Sequence, residues 1–317
     1  MHKYSMNELY NEYSKYLLKK YGEKVYKLPV NLPVTCPNRD GSLGVGGCTY
    51  CSEVGAGFEM LENTLSVKEQ LSRNMEYIKK KYKATKFIAY FQNYTNTYLK
   101  LEKFKEYINQ AAIGDIVEIA ISTRPDCIAD EYLEFLNEFS NRTKINISIE
   151  LGLQTVNYHT LKKINRGHGL AEFIETILRI KKYNFETCAH VILNLPYDNM
   201  DDVIETAKIL SALKIDQVKL HSLYIMENTV MGELYKAGAI SPLSKDDYVE
   251  RVISFLENLD GNIVVQRLIG RAPKENSLFV NWGMSWWKIK EEIEEEMGKR
   301  ESFQGKCTLQ KPLQTVE

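Results

Sequence analysis

The stretch "CPNRDGSLGVGGCTYCSEVGAGF" (residues 36–58) places Cys36, Cys48 and Cys51 within sixteen residues. Two thiolates at C-x-x-C spacing can share one metal centre. A third, brought round by a loop carrying Gly41, Gly44, Gly46 and Gly47, fills a third corner. A structural zinc site usually closes with four protein ligands, and neither a second C-x-x-C nor a His-x-x-x-His lies nearby. An iron-sulfur cluster held by three cysteines instead keeps one iron open to a ligand. A zinc knuckle stands as the competing reading. Cys127, Cys188 and Cys307 are scattered singly and read as ordinary thiols.

Outward from this loop, apolar runs alternate with amphipathic ones. Residues 30–35, 86–91, 116–122, 144–153, 187–195 and 217–224 read as strands, and residues 67–82, 99–112, 130–139, 171–183 and 201–213 as helices. Ser66 and Asp130 stand where N-caps are expected. Such β/α units build a parallel sheet with helices outside, curled fully or partly into a barrel. The predicted fold class is therefore α/β, a partial (β/α)6 TIM-like barrel. A helix over 245–259, a strand over 262–268 and a helix over 284–297 complete the chain. In this architecture chemistry sits at the C-terminal ends of the strands, which is where Cys36 falls.

A chain of 317 residues can bury one large α/β core or two ordinary ones, and no Pro/Gly/Ser linker divides it. No apolar run approaches the roughly 20 residues that span a bilayer, so no membrane partner is expected. The N-terminus lacks the apolar core and small-residue cleavage site of a secretory signal. A cytoplasmic location is expected, where structural disulfides are not. The net charge of −1 hides an uneven distribution: Arg73, Lys79, Lys80, Lys81, Lys83 and Lys86 face Glu76 alone over residues 73–86. Charge by itself favours a solvated helix face over an RNA-binding one.

Five further segments occur in order: "STRPDCI" (122–128), "ELGLQT" (150–155), "INRGHG" (164–169), "AHVILNLP" (189–196) and "VKLHSLYIMENT" (218–229). Together with the cysteines and with Tyr50 before Cys51, they resemble the radical S-adenosylmethionine (SAM) enzymes, in the branch of the elongator catalytic subunit. Eleven residues separate Cys36 from Cys48, where the superfamily's commonest motif has three; longer first gaps belong to the elongator-type branch. The resemblance covers residues 36–238. It implies a helical extension over 1–26, a radical SAM core over 27–238 and a C-terminal extension over 239–317 that completes the barrel and substrate pocket.

The cofactors it implies are a 4Fe-4S cluster on Cys36, Cys48 and Cys51, and SAM at the open iron. SAM presents a carboxylate, an ammonium group and a ribose, so its site needs a cation and acceptors. Arg166 is expected to pair with the carboxylate and Gln154 to bond the ribose or carboxylate. The Gly-Gly-Glu segment that takes the ammonium in many relatives is absent, and Gln92 and Asn93 of "YFQNYTNTY" (90–98) are the expected replacements. Glu150 is expected to be buried and paired with Arg124, in a structural or a ligand role. His190 and His221 are candidates for the substrate pocket, with a satisfied core histidine as the alternative. No side chain is singled out as catalytic.

The resemblance implies a 5′-deoxyadenosyl radical, formed with electrons from a low-potential donor such as flavodoxin or ferredoxin. Elongator subunits join this domain to an acetyltransferase; about eighty residues follow Gly238 here, too few for one. A set of single-domain bacterial proteins with the same motifs also shares "QRLIGRAP" (266–273) and a tryptophan-containing tail. That likeness suggests tRNA wobble-uridine maturation, from 5-carboxymethylaminomethyluridine to 5-aminomethyluridine. Hydrogen abstraction from the glycine-derived CH2 would give a nitrogen-stabilised radical, and further oxidation to an imine and hydrolysis would release the carboxymethyl group and leave the primary amine. RNA phosphates would then meet the basic segment 73–86, Lys19, Lys20, Lys24 and Lys27, with Arg267 and Arg271 at the rim. Trp282, Trp286 and Trp287 read as base-stacking or core residues. Two readings compete: a radical SAM enzyme for a small molecule or protein, and a non-enzymatic metal-binding module.

Overall fold

The protein is seen in a computed structural model that describes residues 8–52, 60–271 and 275–308. Residues 53–58 of the opening stretch and the last two of "QRLIGRAP" lie outside that range.

Strand side chains alternate between two faces, and here the alternation is apolar outward and polar inward. In β3 (Ile116–Thr123), Ile119 and Ile121 join the main core under the helices, whereas Glu118 and Ser122 bond to residues inside the curl. In β4 (Asn146–Gln154), Ile147, Ile149 and Leu151 point outward, and Ser148 and Glu150 inward. The same inversion holds in β5 (Glu186–Ile192) and β6 (Gln217–His221), whose inward residues include His190 and Lys219. With β1 (Val25–Val30), β2 (Lys86–Phe91) and β8 (Val264–Arg267) they form one parallel sheet in the order β1-β2-β3-β4-β5-β6-β8. A sheet with its polar face inward must curl around something polar. Lys27 of edge strand β1 bonds both Gln266 of edge strand β8, at 3.0 Å, and Glu150 of the central strand, at 2.5 Å. The sheet is therefore a half-barrel whose two edges converge on its middle.

The outer face is covered by α2 (Val67–Tyr82), α3 (Leu101–Gln110), α4 (Asp130–Thr143), α6 (Leu170–Ile180), α7 (Met200–Ala212) and α9 (Lys245–Asn258), which supply the rest of the main core. The short β7 (Ile225–Met226) and β9 (Ser277–Phe279) pair antiparallel, apart from the main sheet, and α10 (Trp286–Lys299) packs on α9. Ser66 caps α2 as a capping box with Glu69. Two local expectations are corrected. Asp130 is the first residue of α4 and Ala129 its N-cap, so the carboxylate serves the helix dipole and not the cap. The first strand is Val25–Val30, not residues 30–35: Pro33 breaks the run, and Pro29 is accommodated because β1 is a sheet edge.

The floor of the half-barrel is a plug. Residues 11 and 12 run beside β8, with the Val265 amide donating to Asn11 O at 2.8 Å, and lead into α1 (Tyr13–Tyr21). Leu17 packs on Ile88, Tyr90 and Ala120. Lys20 bonds Glu118 and Glu186 at 3.1 and 2.6 Å, Tyr21 donates to Glu118 at 2.6 Å, and Tyr16 donates to Glu186. The carboxylates that would repel one another inside a bare curl are thus neutralised from α1. Leu17→Ala removes the apolar centre of this plug; a loss of about 3 kcal/mol is expected, read as a lowered urea midpoint with unchanged slope.

Candidate active site

Cys36, Cys48 and Cys51 face one chamber of about 610 Å³ at the C-terminal ends of the strands, within the size range of small-molecule sites. The loop that carries them is pinned from both sides. Its Thr49 amide donates to Ile164 O at 3.0 Å, and its Thr49 carbonyl accepts from Met231 at the start of α8 (Val230–Lys236), at 2.9 Å. Asn165, just beyond α5 (Tyr158–Lys163), donates from its side chain to Gly47 O, and Asn38 donates to Asn165 O. Gly47 has φ +86°, and a Cβ there would meet Arg39 at 2.9 Å. A larger residue would displace the arginine.

Each thiol has a guanidinium beside it. Arg39 Nη1 lies 3.5 Å from Cys51 Sγ, Arg166 Nη1 3.6 Å from Cys48 Sγ, and Arg124 Nη1 3.9 Å from Cys36 Sγ. Burial pushes the Cys51 thiol up, as does neighbouring Cys48, while Arg39 opposes them. Three thiols gathered under a positive rim supply a donor set for a metal centre. No fourth cysteine lines the chamber among the described residues. The donor set thus fits a cluster held at three corners.

Arg166 is buried, donates to Gly152 O at 2.7 Å and leaves Nε without a partner. A Cβ on Gly152 would stand 2.6 Å from Arg166 Nη2 and 2.8 Å from Gln154 Nε2, so glycine is what lets both side chains gather there. Gln154 itself has φ +77°. Gln92 lines the chamber beside Thr95, whereas Asn93 is packed aside, donating to Asn31 at 3.3 Å. Buried Asn96 braces this bend through three backbone carbonyls.

The expected Glu150–Arg124 pair does not form. Arg124 closes on Asp126, two residues along, with Nε and Nη2 at 2.8 and 2.7 Å from its carboxylate, and donates Nη1 to Arg166 O at 2.9 Å. Glu150 instead receives Lys27 at 2.5 Å, Lys219 at 2.6 Å, Gln266 at 3.1 Å and His190 at 2.7 Å. Burial alone would raise its pKa, but Lys219 and Lys27 hold it well below the usual carboxylate range. His190 is pushed down to about 4 by burial and by Lys219, so it is neutral near pH 7. Its ring lies 5.2 Å from that of His221, and both histidines face the chamber. Glu150, Cys188 and His190 have metal-like spacing, but the two lysines already supply the cations there.

Two RNA-contact expectations are corrected as well. Lys20 and Lys27 turn inward to Glu118, Glu186 and Glu150. Lys79, Lys80, Lys81 and Lys83 are exposed at the C-terminal end of α2, where the chain turns into the start of β2, opposite the cysteines. Trp282 packs against Tyr248 and Phe279 and donates to Leu243 O, a core role; Trp286 lines the chamber under Arg271. Sequence reasoning missed Asn38, Arg39, Lys219 and Gln266. The alternation of β6 is the signal that could have found Lys219, since a lysine between Val218 and Leu220 must point inward.

The fold and site define a class: a parallel α/β half-barrel with a three-cysteine centre at its mouth. The chain belongs to the radical SAM superfamily, whose model matches residues 31–210, and a Radical_SAM C-terminal domain matches residues 215–299. It is a radical SAM enzyme, and its cofactors are a 4Fe-4S cluster and SAM. It is 35% identical over 298 residues to "Uncharacterized protein YtqA" of Bacillus subtilis, covering 94% of this chain and 92% of that one. It is 25% identical over 160 residues to "tRNA uridine(34) acetyltransferase" of Methanocaldococcus jannaschii, covering 48% of this chain and 28% of that one. The solved Elp3 of Methanocaldococcus infernus shares the fold, with a TM-score of 0.67 and 16% identity over 88% of this chain and 64% of that chain. No helix among the described residues is long and apolar enough to cross a membrane.

Glu150→Gln leaves buried Lys219 and half-buried Lys27 without a charge partner and is expected to cost about 3 kcal/mol in chemical denaturation, more than Glu150→Asp.

Proposed function

We propose that this radical SAM enzyme acts on tRNA at the wobble uridine, converting 5-carboxymethylaminomethyluridine to 5-aminomethyluridine. The observation that carries the reading is the chamber beneath the cysteines. Glu150 is the carboxylate on its described lining, while Arg39, Arg124, Arg166, Lys219, Arg267 and Arg271 also line it. Such a lining suits a substrate arm that carries a carboxylate. Similarity to the tRNA uridine(34) acetyltransferase over 48% of this chain supports a uridine as the reacting base.

Cys36, Cys48 and Cys51 would hold the cluster. Arg166, with Nε unspent, would take the carboxylate of SAM, Gln154 its ribose or carboxylate, and Gln92 its ammonium group. Arg124 would act at one remove, fixing the Arg166 backbone, and Asn93 would shape the bend that presents Gln92. When bound, the cluster and SAM supply hydrogen-atom abstraction from an unactivated C–H bond. At the floor of the half-barrel α1 closes the chamber, with Leu17 and Lys20 packed into its base. A low-potential donor such as flavodoxin or ferredoxin would supply the electrons, and the cytoplasm is the expected site of action.

Digesting tRNA from a strain lacking the protein tests the substrate. An accumulated 5-carboxymethylaminomethyluridine is expected, and an unchanged nucleoside profile would contradict the reading. For the cofactor site, Arg166→Gln is expected to weaken SAM binding about tenfold or more, measured on reconstituted protein, with the cluster's absorbance retained.

A further inference from the structure

Below the cysteines the chamber holds a second set of cations. Lys27 and Lys219 share Glu150. Arg267 has no such partner. Its Nη2 lies 2.7 and 3.1 Å from the two ring nitrogens of His221, its Nε is buried and unbonded, and no carboxylate among the described residues is within ion-pair distance. The backbone has been arranged to bring it there. Between β6 and β8 the register slips, so that Val218 faces Val265 while Lys219 faces Arg267. Strict alternation would send Gln266 and Arg267 to opposite faces, yet with this bulge both line the chamber.

The imidazole does not balance the guanidinium. Burial and Arg267 itself press the pKa of His221 well below its ordinary value, so the ring is a neutral acceptor. A half-buried guanidinium whose buried Nε–H is unspent is costly unless an anion meets it, and its planar fork matches a carboxylate. Arg166, not Arg267, is the cation beside the cysteines that would take the carboxylate of SAM. The strongest charged or ionisable neighbours of Arg166 are Cys48 and Tyr50, at the mouth; those of Arg267 are Tyr90 and Glu150, deeper in the curl.

We infer that Arg267, seated against His221, is the receiving site for a carboxylate on the substrate's reacting arm and sets the specificity for substrates that carry one. The inference rests on the wobble-uridine reading, in which that arm ends in a glycine-derived carboxylate attached to a secondary amine. Arg267 holds the end of the arm, leaving the CH2 beside it turned toward the mouth.

The test titrates reconstituted, SAM-loaded protein with two nucleosides, 5-carboxymethylaminomethyluridine and 5-aminomethyluridine, which differ only in the carboxymethyl group. Wild-type protein is expected to prefer the first by about tenfold or more. Arg267→Gln should lose the preference and Arg267→Lys retain part of it. Wild-type protein that binds both alike, or neither, overturns the site without recourse to any variant. So does a preference that survives in Arg267→Gln. An Arg267→Gln protein that loses affinity for SAM also overturns it, by giving the arginine to the cofactor's carboxylate. Turnover of tRNA is scored apart: turnover without nucleoside preference sinks the site alone, and preference without turnover sinks the wobble-uridine reading alone.

Discussion

Glu150 is the constraint on which the rest of the structure turns. One buried carboxylate on β4 gathers Lys27 from β1, His190 from β5, Lys219 from β6 and Gln266 from β8. A parallel sheet with free edges has no intrinsic reason to stop curling at a given radius. Here the reach of two lysines to one carboxylate sets it. The same contacts decide the chemistry of the interior, because a carboxylate shared by two ammonium groups stays ionised and a histidine beside it stays neutral. The chamber is thus held open by charge on its inner wall while apolar packing on the outer wall supplies the stability.

Three polar levels can be followed up the inner face. At the floor, Glu118 and Glu186 are satisfied by Lys20, Tyr16 and Tyr21 of α1. At mid-height Glu150 is satisfied by residues of the sheet itself. At the mouth Arg39, Arg124 and Arg166 face sulfur, and Arg124 also holds the carboxylate of Asp126. Acid gives way to thiol as the chain approaches the strand ends. A metal centre that arrives with negative charge of its own therefore meets guanidinium groups, of which Arg166 keeps its Nε unpartnered.

Much of this was legible in the sequence. The periodicity of residues 67–82 and 86–91 matches α2 and β2, since Ser66 and the β-branched and aromatic run after Ala84 mark both boundaries. The cysteine spacing and the ordered motifs indicated the family and its cofactors. The partner of Glu150 was not legible, because Arg124 is nearer to it in the chain's motif order but is captured locally by Asp126, a contact that needs no fold at all. Nor was the inward turn of Lys20 and Lys27. Lysines on a short amphipathic helix and an edge strand read as solvent-facing until the floor and the edge they close are known. Arg267 reads as a rim residue until the bulge between β6 and β8 is known, because simple strand alternation does not show it.

The most direct test of the three-cornered centre is spectroscopic. Protein reconstituted with iron and sulfide is reduced anaerobically, and its electron paramagnetic resonance spectrum is recorded before and after adding SAM. An open iron predicts a reduced 4Fe-4S signal that changes when SAM binds, and that is missing when Cys36, Cys48 and Cys51 are replaced by Ala. A signal that SAM leaves unchanged, or one that survives the loss of those cysteines, would contradict the account.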